Sequence, residues 1–219
     1  MDGYETLARV DGAQGELVLR RRGDVYEIIS NGVFLMDTRD GRSERLLVDA
    51  ALARTPVVSP AVLLGGLGVG FSLARAAARP EPGRIDVVEV SGELVEWHAT
   101  HLRHLAEEAW RDPRVHLIEA DLVAWLGTAE SRYDVICLDV DNGPEWTVVD
   151  GNRALYDDAG LRLLGTRLRP GGVLAVWSAH RAPDFERRLA RHFTGVEVHE
   201  VPVERGAPDV VYVGARAGP

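Results

Sequence analysis

The chain changes its hydrophobic rhythm near residue 60. Before that point the apolar residues come in short, part-alternating runs, "ELVLRR" (16–21), "DVYEIIS" (24–30) and "VFLMDT" (33–38). The pairs Arg22-Gly23 and Asn31-Gly32 separate these runs, which predicts a hairpin or meander. "SERLLVDAALA" (43–53) follows with an apolar stripe at Leu46, Leu47 and Ala50 and predicts a helix with Ser43 as its N-cap. "RTPVVSP" (54–60) reads as a linker.

From Ala61 the apolar runs lengthen and lose their alternation: "AVLLGG" (61–66), "RIDVVEV" (84–90), "VHLIEA" (115–120), "YDVICLDV" (133–140) and "VLAVWSA" (173–179). Helical stretches separate them: 70–79, one long helix over 92–109, a short one over 122–127, then 159–168 and 183–193. Strands apolar along their length that alternate with helices predict a parallel sheet covered on both faces. The last two runs, "VEVHEVPV" (196–203) and "DVVYVGAR" (209–216), are joined by "ERGAP", which is too short for a crossover and requires an antiparallel hairpin. The expectation is an α/β, doubly wound sheet with a C-terminal antiparallel hairpin and a small N-terminal β segment. Residues 1–60 would form the β segment with its helix and linker, and 61–219 a nucleoside-binding domain.

Composition narrows the function. The 219 residues carry a net charge of -9, which argues against a phosphate backbone as partner. No run reaches the length of a membrane span, and the first ten residues lack the basic-then-apolar order of a secretory signal. All basic side chains other than histidine are arginine, so Schiff-base and P-loop chemistry, which need lysine, are absent. The lone Cys137 fits a reducing, cytoplasmic setting and excludes a cysteine-rich metal site.

The candidate chemistry lies at the strand ends. Gly66, Gly68 and Gly70 fall on the first strand-to-helix turn, where bare backbone lets a ligand lie against the chain. Glu89 ends the second strand about twenty residues on, the usual place of an acid that takes ribose hydroxyls. Val90 beside it and Leu122 after the third strand are expected to line the same nucleoside site. Asp121 could accept from an adenine amino group, or simply cap the short helix. Asp139 ends the fourth strand. Acids crowding the glycine turn would repel a pyrophosphate and suit a cationic, sulfonium nucleoside instead. The terminal hairpin also counts against a dinucleotide enzyme.

Asp139 and Asp141 are the candidate proton acceptors, since paired carboxylates push one pKa upward. Asp141 could alternatively serve only an Asx-turn. The long polar connection 141–158 is expected to act as a lid, with Trp146 either over the substrate or packed at the surface on the loop itself. His98, His101 and His104 recur on a helix away from the strand ends and are expected on a solvated face, with no metal. Cys137 is expected in the core, and Arg20–Arg22 at a solvated strand end.

These pieces together resemble the spermidine synthase family, within the class I fold of S-adenosylmethionine-dependent methyltransferases. The carriers are "VLLGGLGVG", "VVEV", "DPRVHLIEADLVAWL", "YDVICLDVDNGP" and "LRPGGVLAVWS". The synthases carry G-G-G-D-G-G at the first turn, and Gly68 stands where their Asp holds the amine of decarboxylated S-adenosylmethionine. Their Y-[HQ]-E falls on Ser43, Glu44 and Arg45, and their D-[ST]-[ST]-D on Asp139, Val140, Asp141 and Asn142. The resemblance implies a catalytic role for Asp139 and, with the lid reading of Trp146, substrate contacts are expected at Glu44, Asn142 and Trp146.

Because the cofactor cradle is kept while the selecting residues differ, the expectation is methyl transfer from S-adenosylmethionine to a small molecule. The alternatives are aminopropyl transfer from decarboxylated S-adenosylmethionine and a non-catalytic adenosyl-binding module. The expected partner is a small-molecule acceptor, with no nucleic acid or membrane, and a homodimer is open as the assembly.

Overall fold

The computed structural model describes residues 3–12 and 15–218. Four strands, β1 (Glu5–Gly12), β2 (Gly15–Arg22), β3 (Val25–Ser30) and β4 (Val33–Asp37), form an antiparallel meander. The helix α1 (Arg42–Arg54) leads into the larger unit, which runs β5 (Ala61–Gly65), α2 (Phe71–Ala78), β6 (Arg84–Glu89), α3 (Gly92–Ala99), α4 (Arg103–Arg111), β7 (Val115–Glu119), α5 (Leu122–Thr128) and β8 (Tyr133–Leu138). A 3₁₀ turn (Asp150–Leu155), α6 (Asp158–Arg167), β9 (Leu168–Ser178), α7 (Pro183–His192), β10 (Thr194–Val201) and β11 (Asp209–Ala215) complete the chain.

The large sheet has the order β10-β11-β9-β8-β5-β6-β7, with β5 to β9 parallel and β11 antiparallel to both β9 and β10. The doubly wound sheet and its closing hairpin match the expectation. The chain reverses its winding direction between β5 and β8, so the carboxyl ends of these two strands form the crevice where ligands bind in open α/β sheets. Every residue of β8 is buried, because helices cover both faces there. β7 is an edge strand with His116 and Leu117 exposed, which corrects the expectation that all five central strands are fully covered.

Four local features depart from the sequence expectation. β1 is an additional strand: its residues alternate weakly, and it is held by pairing with β2 across a bulge between Thr6 and Ala8. The long helix over 92–109 is two helices, broken at Thr100, because the turn brings Leu102 fully into the core. Gly41, not Ser43, stands at the N-cap of α1, and no side chain caps that end. Arg169-Pro170-Gly171-Gly172, whose Pro and glycines read as a turn, is absorbed into β9. The helix α1 packs on β9, β11 and α2, so it belongs physically with the large sheet.

Candidate active site

The crevice is built by two strand ends brought into contact. The Asp139 amide donates to the Gly65 carbonyl (2.9 Å), and the Gly66 amide donates to the Val88 carbonyl (2.9 Å). Gly66 has a left-handed backbone (φ 92°), and a Cβ there would overlap the Asp139 carbonyl oxygen. Only glycine therefore lets the turn pass this close to β8. Leu122 closes the floor, with its side chain against Gly65.

Glu89 is buried at the end of β6. One carboxylate oxygen accepts from the Leu67 amide (2.9 Å) and the other from the Ser91 amide (2.8 Å). Burial pushes its pKa up, and the amide hydrogen bonds oppose that shift. Glu89 thus ties the glycine turn to β6, and each of its oxygens keeps a second lone pair for a ligand hydroxyl. Gly66, Gly68, Val90, Asp121, Leu122 and Asp139 line the same cleft. Asp121 caps α5 through the Ala124 amide (2.8 Å) and also rims the cleft. Gly70 does not line the cleft; it is the left-handed N-cap of α2.

Three carboxyl groups meet beyond the glycine turn. Asp139 accepts from the Ser72 hydroxyl (2.9 Å). Glu44, on the first turn of α1, is half-buried and feels the Asp139 charge. Burial first, and the Asp139 charge second, push its carboxyl up to about 8. Burial raises Asp139 to about 6 against the Ser72 bond, with Asp209 adding to the rise. Asp209 opens β11 and accepts from the Ser43 hydroxyl (2.7 Å), and Ser43 also lies 2.9 Å from a Glu44 oxygen. Asp209 is a site residue that sequence reasoning missed. It lies 70 residues beyond Asp139, and only the closing hairpin brings it back.

The roof comes from the N-terminal sheet, where Leu17, Ile28, Ser30, Leu35 and Met36 face the cleft. Met36 was also missed. A Cβ on Gly68 would come within 2.9 Å of its sulfur, so the thioether occupies the space above the turn.

The connection after β8 contributes less than expected. Asp141 adopts a left-handed backbone (φ 54°), lines the cleft, and accepts from the Asn152 side chain (2.8 Å). Burial raises its pKa, while Asn152 and the Val148 and Val149 amides hold it down. Val149 and Asn152 reach the cleft from this segment. Trp146 does not line it: the ring is 49% exposed and lies tilted on His180 at 6.4 Å. Asn142 is buried away from the cleft lining, its carbonyl accepting from the Ala179 amide. The histidine expectation divides. His101 and His104 are exposed, whereas His98 is buried beneath the glycine turn, a correction taken up below. Cys137 is buried in the core, and burial raises its thiol. Among the described residues no cluster could hold a metal ion, and no helix is long and apolar enough to cross a membrane.

The cleft is uniformly acidic. Glu89, Glu93, Asp121, Asp139 and Asp141 line it, and no Arg or His among the described residues does so. Residues 43–192 match the spermine/spermidine synthase domain family. The chain belongs to this family. Curated relatives include polyamine aminopropyltransferase 2 of Pseudomonas aeruginosa, 35% identical over 150 residues that cover 63% of this chain and 41% of the relative. A polyamine aminopropyltransferase of Prochlorococcus marinus is 25% identical over 192 residues, covering 81% and 65%. The chain therefore spans from about two-fifths to two-thirds of the length of these relatives. Among solved structures, a spermidine synthase in complex with the transition-state analogue AdoDATO superposes with a TM-score of 0.81 at 16% identity, covering 96% of this chain and 73% of that one. The spermidine synthase from Thermotoga maritima gives 0.77 at 15%, with 96% and 72% covered. These two likenesses establish the family's Rossmann-like fold for this chain.

Proposed function

We propose that this member of the spermine/spermidine synthase domain family transfers an aminopropyl group from decarboxylated S-adenosylmethionine to a small amine. The observation that carries this reading is the sign of the cleft, five carboxyl groups without a basic side chain among the described residues. Two unit charges 4 Å apart interact by about 4 kcal/mol at a near-surface effective dielectric. The α-carboxylate of ordinary S-adenosylmethionine would meet only like charge here. The decarboxylated form presents a sulfonium and an ammonium, both attracted. The names of the curated relatives support the same choice.

Glu89 and Asp121 would hold the nucleoside and the glycine turn its underside. The amine nitrogen attacks the methylene carbon attached to sulfur. The C–N bond forms, the C–S bond breaks, and its electron pair stays on sulfur as a neutral thioether. Asp139 takes the proton that the new ammonium sheds, and Glu44 and Asp209 draw in a cationic amine and hold Asp139 basic enough to accept. Methyl transfer, the other reading, draws on one feature, the side-chain-free Gly68 under Met36.

Incubation of the protein with putrescine and each form of the cofactor separates the two, with products read by mass spectrometry. Aminopropyl transfer yields 5′-methylthioadenosine from the decarboxylated form only. Accumulation of S-adenosylhomocysteine from the ordinary form, with no methylthioadenosine from the other, would overturn the proposal.

A further inference from the structure

We infer that His98 is a positioning residue of the glycine turn, fixing from beneath the Gly68 peptide on which the donor nucleoside rests; the ligand part of this inference rests on the function proposed above. His98 is 2% exposed, on the face of α3 that packs under the turn. Its Nε2 lies 2.8 Å from the Gly68 carbonyl oxygen. A carbonyl only accepts, so Nε2 carries the proton and donates. Nδ1 is buried without a hydrogen-bond partner, which leaves this tautomer the one that satisfies the turn. The ring is held edge-on by Trp110, with centroids 5.8 Å apart.

The consequence for the turn is directional. In a trans peptide the carbonyl and the following amide point in opposite directions. Anchoring the Gly68 carbonyl on His98 therefore aims the Val69 amide away from the helix layer. Gly68 itself is left-handed (φ 52°), and the turn is otherwise held at Leu67, whose amide donates to Glu89 and whose carbonyl accepts from the Gly70 amide. Three anchors thus set three successive peptides, 66–67, 67–68 and 68–69, and His98 supplies the last. The same ring explains Gly70: a Cβ there would lie 2.8 Å from His98 Cε1, so the histidine and the glycine depend on one another. A buried neutral imidazole suits this task, because burial depresses its pKa and keeps it unprotonated in neutral solution.

The test compares wild type with His98→Gln, whose side-chain amide still donates, and His98→Ala, which does not. Hydrogen exchange over residues 65–72 reads the turn without any ligand. Titration with 5′-methylthioadenosine and steady-state kinetics read its use. In His98→Ala the turn should exchange about tenfold faster, and the nucleoside Kd and donor KM should rise about tenfold, the worth of one hydrogen bond to a buried carbonyl. The kcat should stay within about twofold, and Gln should restore most of both effects. If His98→Ala does not fold, His98→Gln set against His98→Leu makes the same comparison. Unchanged exchange in the turn, or a Kd unchanged while only the melting temperature falls, would overturn the inference. A wild type that binds no adenosyl nucleoside, with a turn that still loosens on losing His98, would instead remove the aminopropyl reading and leave the positioning role standing.

Discussion

Replacing Glu44 with glutamine should stabilise the protein at pH 8 and do little at pH 5. Glu44 and Asp139 are half-buried and interact electrostatically, and each has a carboxyl pKa above its ordinary value, about 8 and about 6. The folded state thus binds more protons than the unfolded chain, whose carboxyls titrate near 4. Stability from this pair is fully present below about pH 4 and drains away as the pH rises through 6 to 8, because the unfolded chain can then ionise freely and the folded one cannot. One pKa unit is worth about 1.4 kcal/mol. A shift of several units, reduced for water penetration into a partly open cleft, leaves on the order of 3 kcal/mol of strain at pH 8. For a chain of this size that is a melting-temperature gain of about 6–12 °C for Glu44→Gln at pH 8. The assay is thermal denaturation of both proteins from pH 5 to 8.5, with and without putrescine. The dication should raise the wild type more than the variant at high pH, since it neutralises the charge the variant lacks. If the difference between the two proteins does not change with pH, or if Glu44→Gln is the less stable at pH 8, the account of a strained acidic site is wrong.

Two further outcomes follow from the geometry. Asp139→Asn should keep the fold and nucleoside binding while turnover falls by about 10²–10⁴-fold, the worth of a positioned proton acceptor. Asp141→Asn, whose left-handed backbone asparagine tolerates, should cost much less; rates with the chosen amine decide, and the opposite ranking would exchange the two roles. Gly66→Ala should destabilise by more than about 3 kcal/mol, through overlap with the Asp139 carbonyl and a forbidden φ; a melting temperature within about 2 °C of wild type would show that the strand ends can part.

Much of the fold is legible because burial writes itself into runs of apolar residues. "AVLLG" and, after Asp134, "VICL" are apolar throughout because helices cover both faces of β5 and β8. The short "ERGAP" connection could only be a hairpin. The misreadings share a cause, since each was settled by a partner distant in sequence. "GELVEWHATHLRHLAEEA" has helical periodicity and, after its first residue, no Gly or Pro to break it. The break at Thr100 follows from seating Leu102 in the core, where the Thr100 and Leu102 amides both turn back to the Trp97 carbonyl. β1 carries too weak an alternation to announce a strand and exists because β2 offers it an edge.

The site divides along the same line. Residues at strand ends were readable, because topology alone sends the ends of β5, β6 and β8 to one crevice. Glu89, Asp121 and Asp139 arrive there for that reason. Met36, Asp209 and His98 come from a separate sheet, a C-terminal hairpin and the underside of the turn, and no spacing in the sequence relates them to Gly68 or Asp139. Trp146 and Asn142 show the converse: loop length and the family motif pointed to the cleft, but the chain passes through left-handed residues at Asp141 and Gly143 and neither side chain lines it. This division bears on specificity. On the proposed function, the readable residues would hold what nucleoside-binding members of such a fold share, a ribose and a base. On the same proposal, Met36 would face the tail of the sulfonium, and Asp209, which accepts from the Ser43 hydroxyl, would face the acceptor. An amine specificity that departs from that of the relatives would therefore reside in α1, β4 and β11. Exchanging Ser43 or Asp209 should change which amine is used before it changes whether the nucleoside binds.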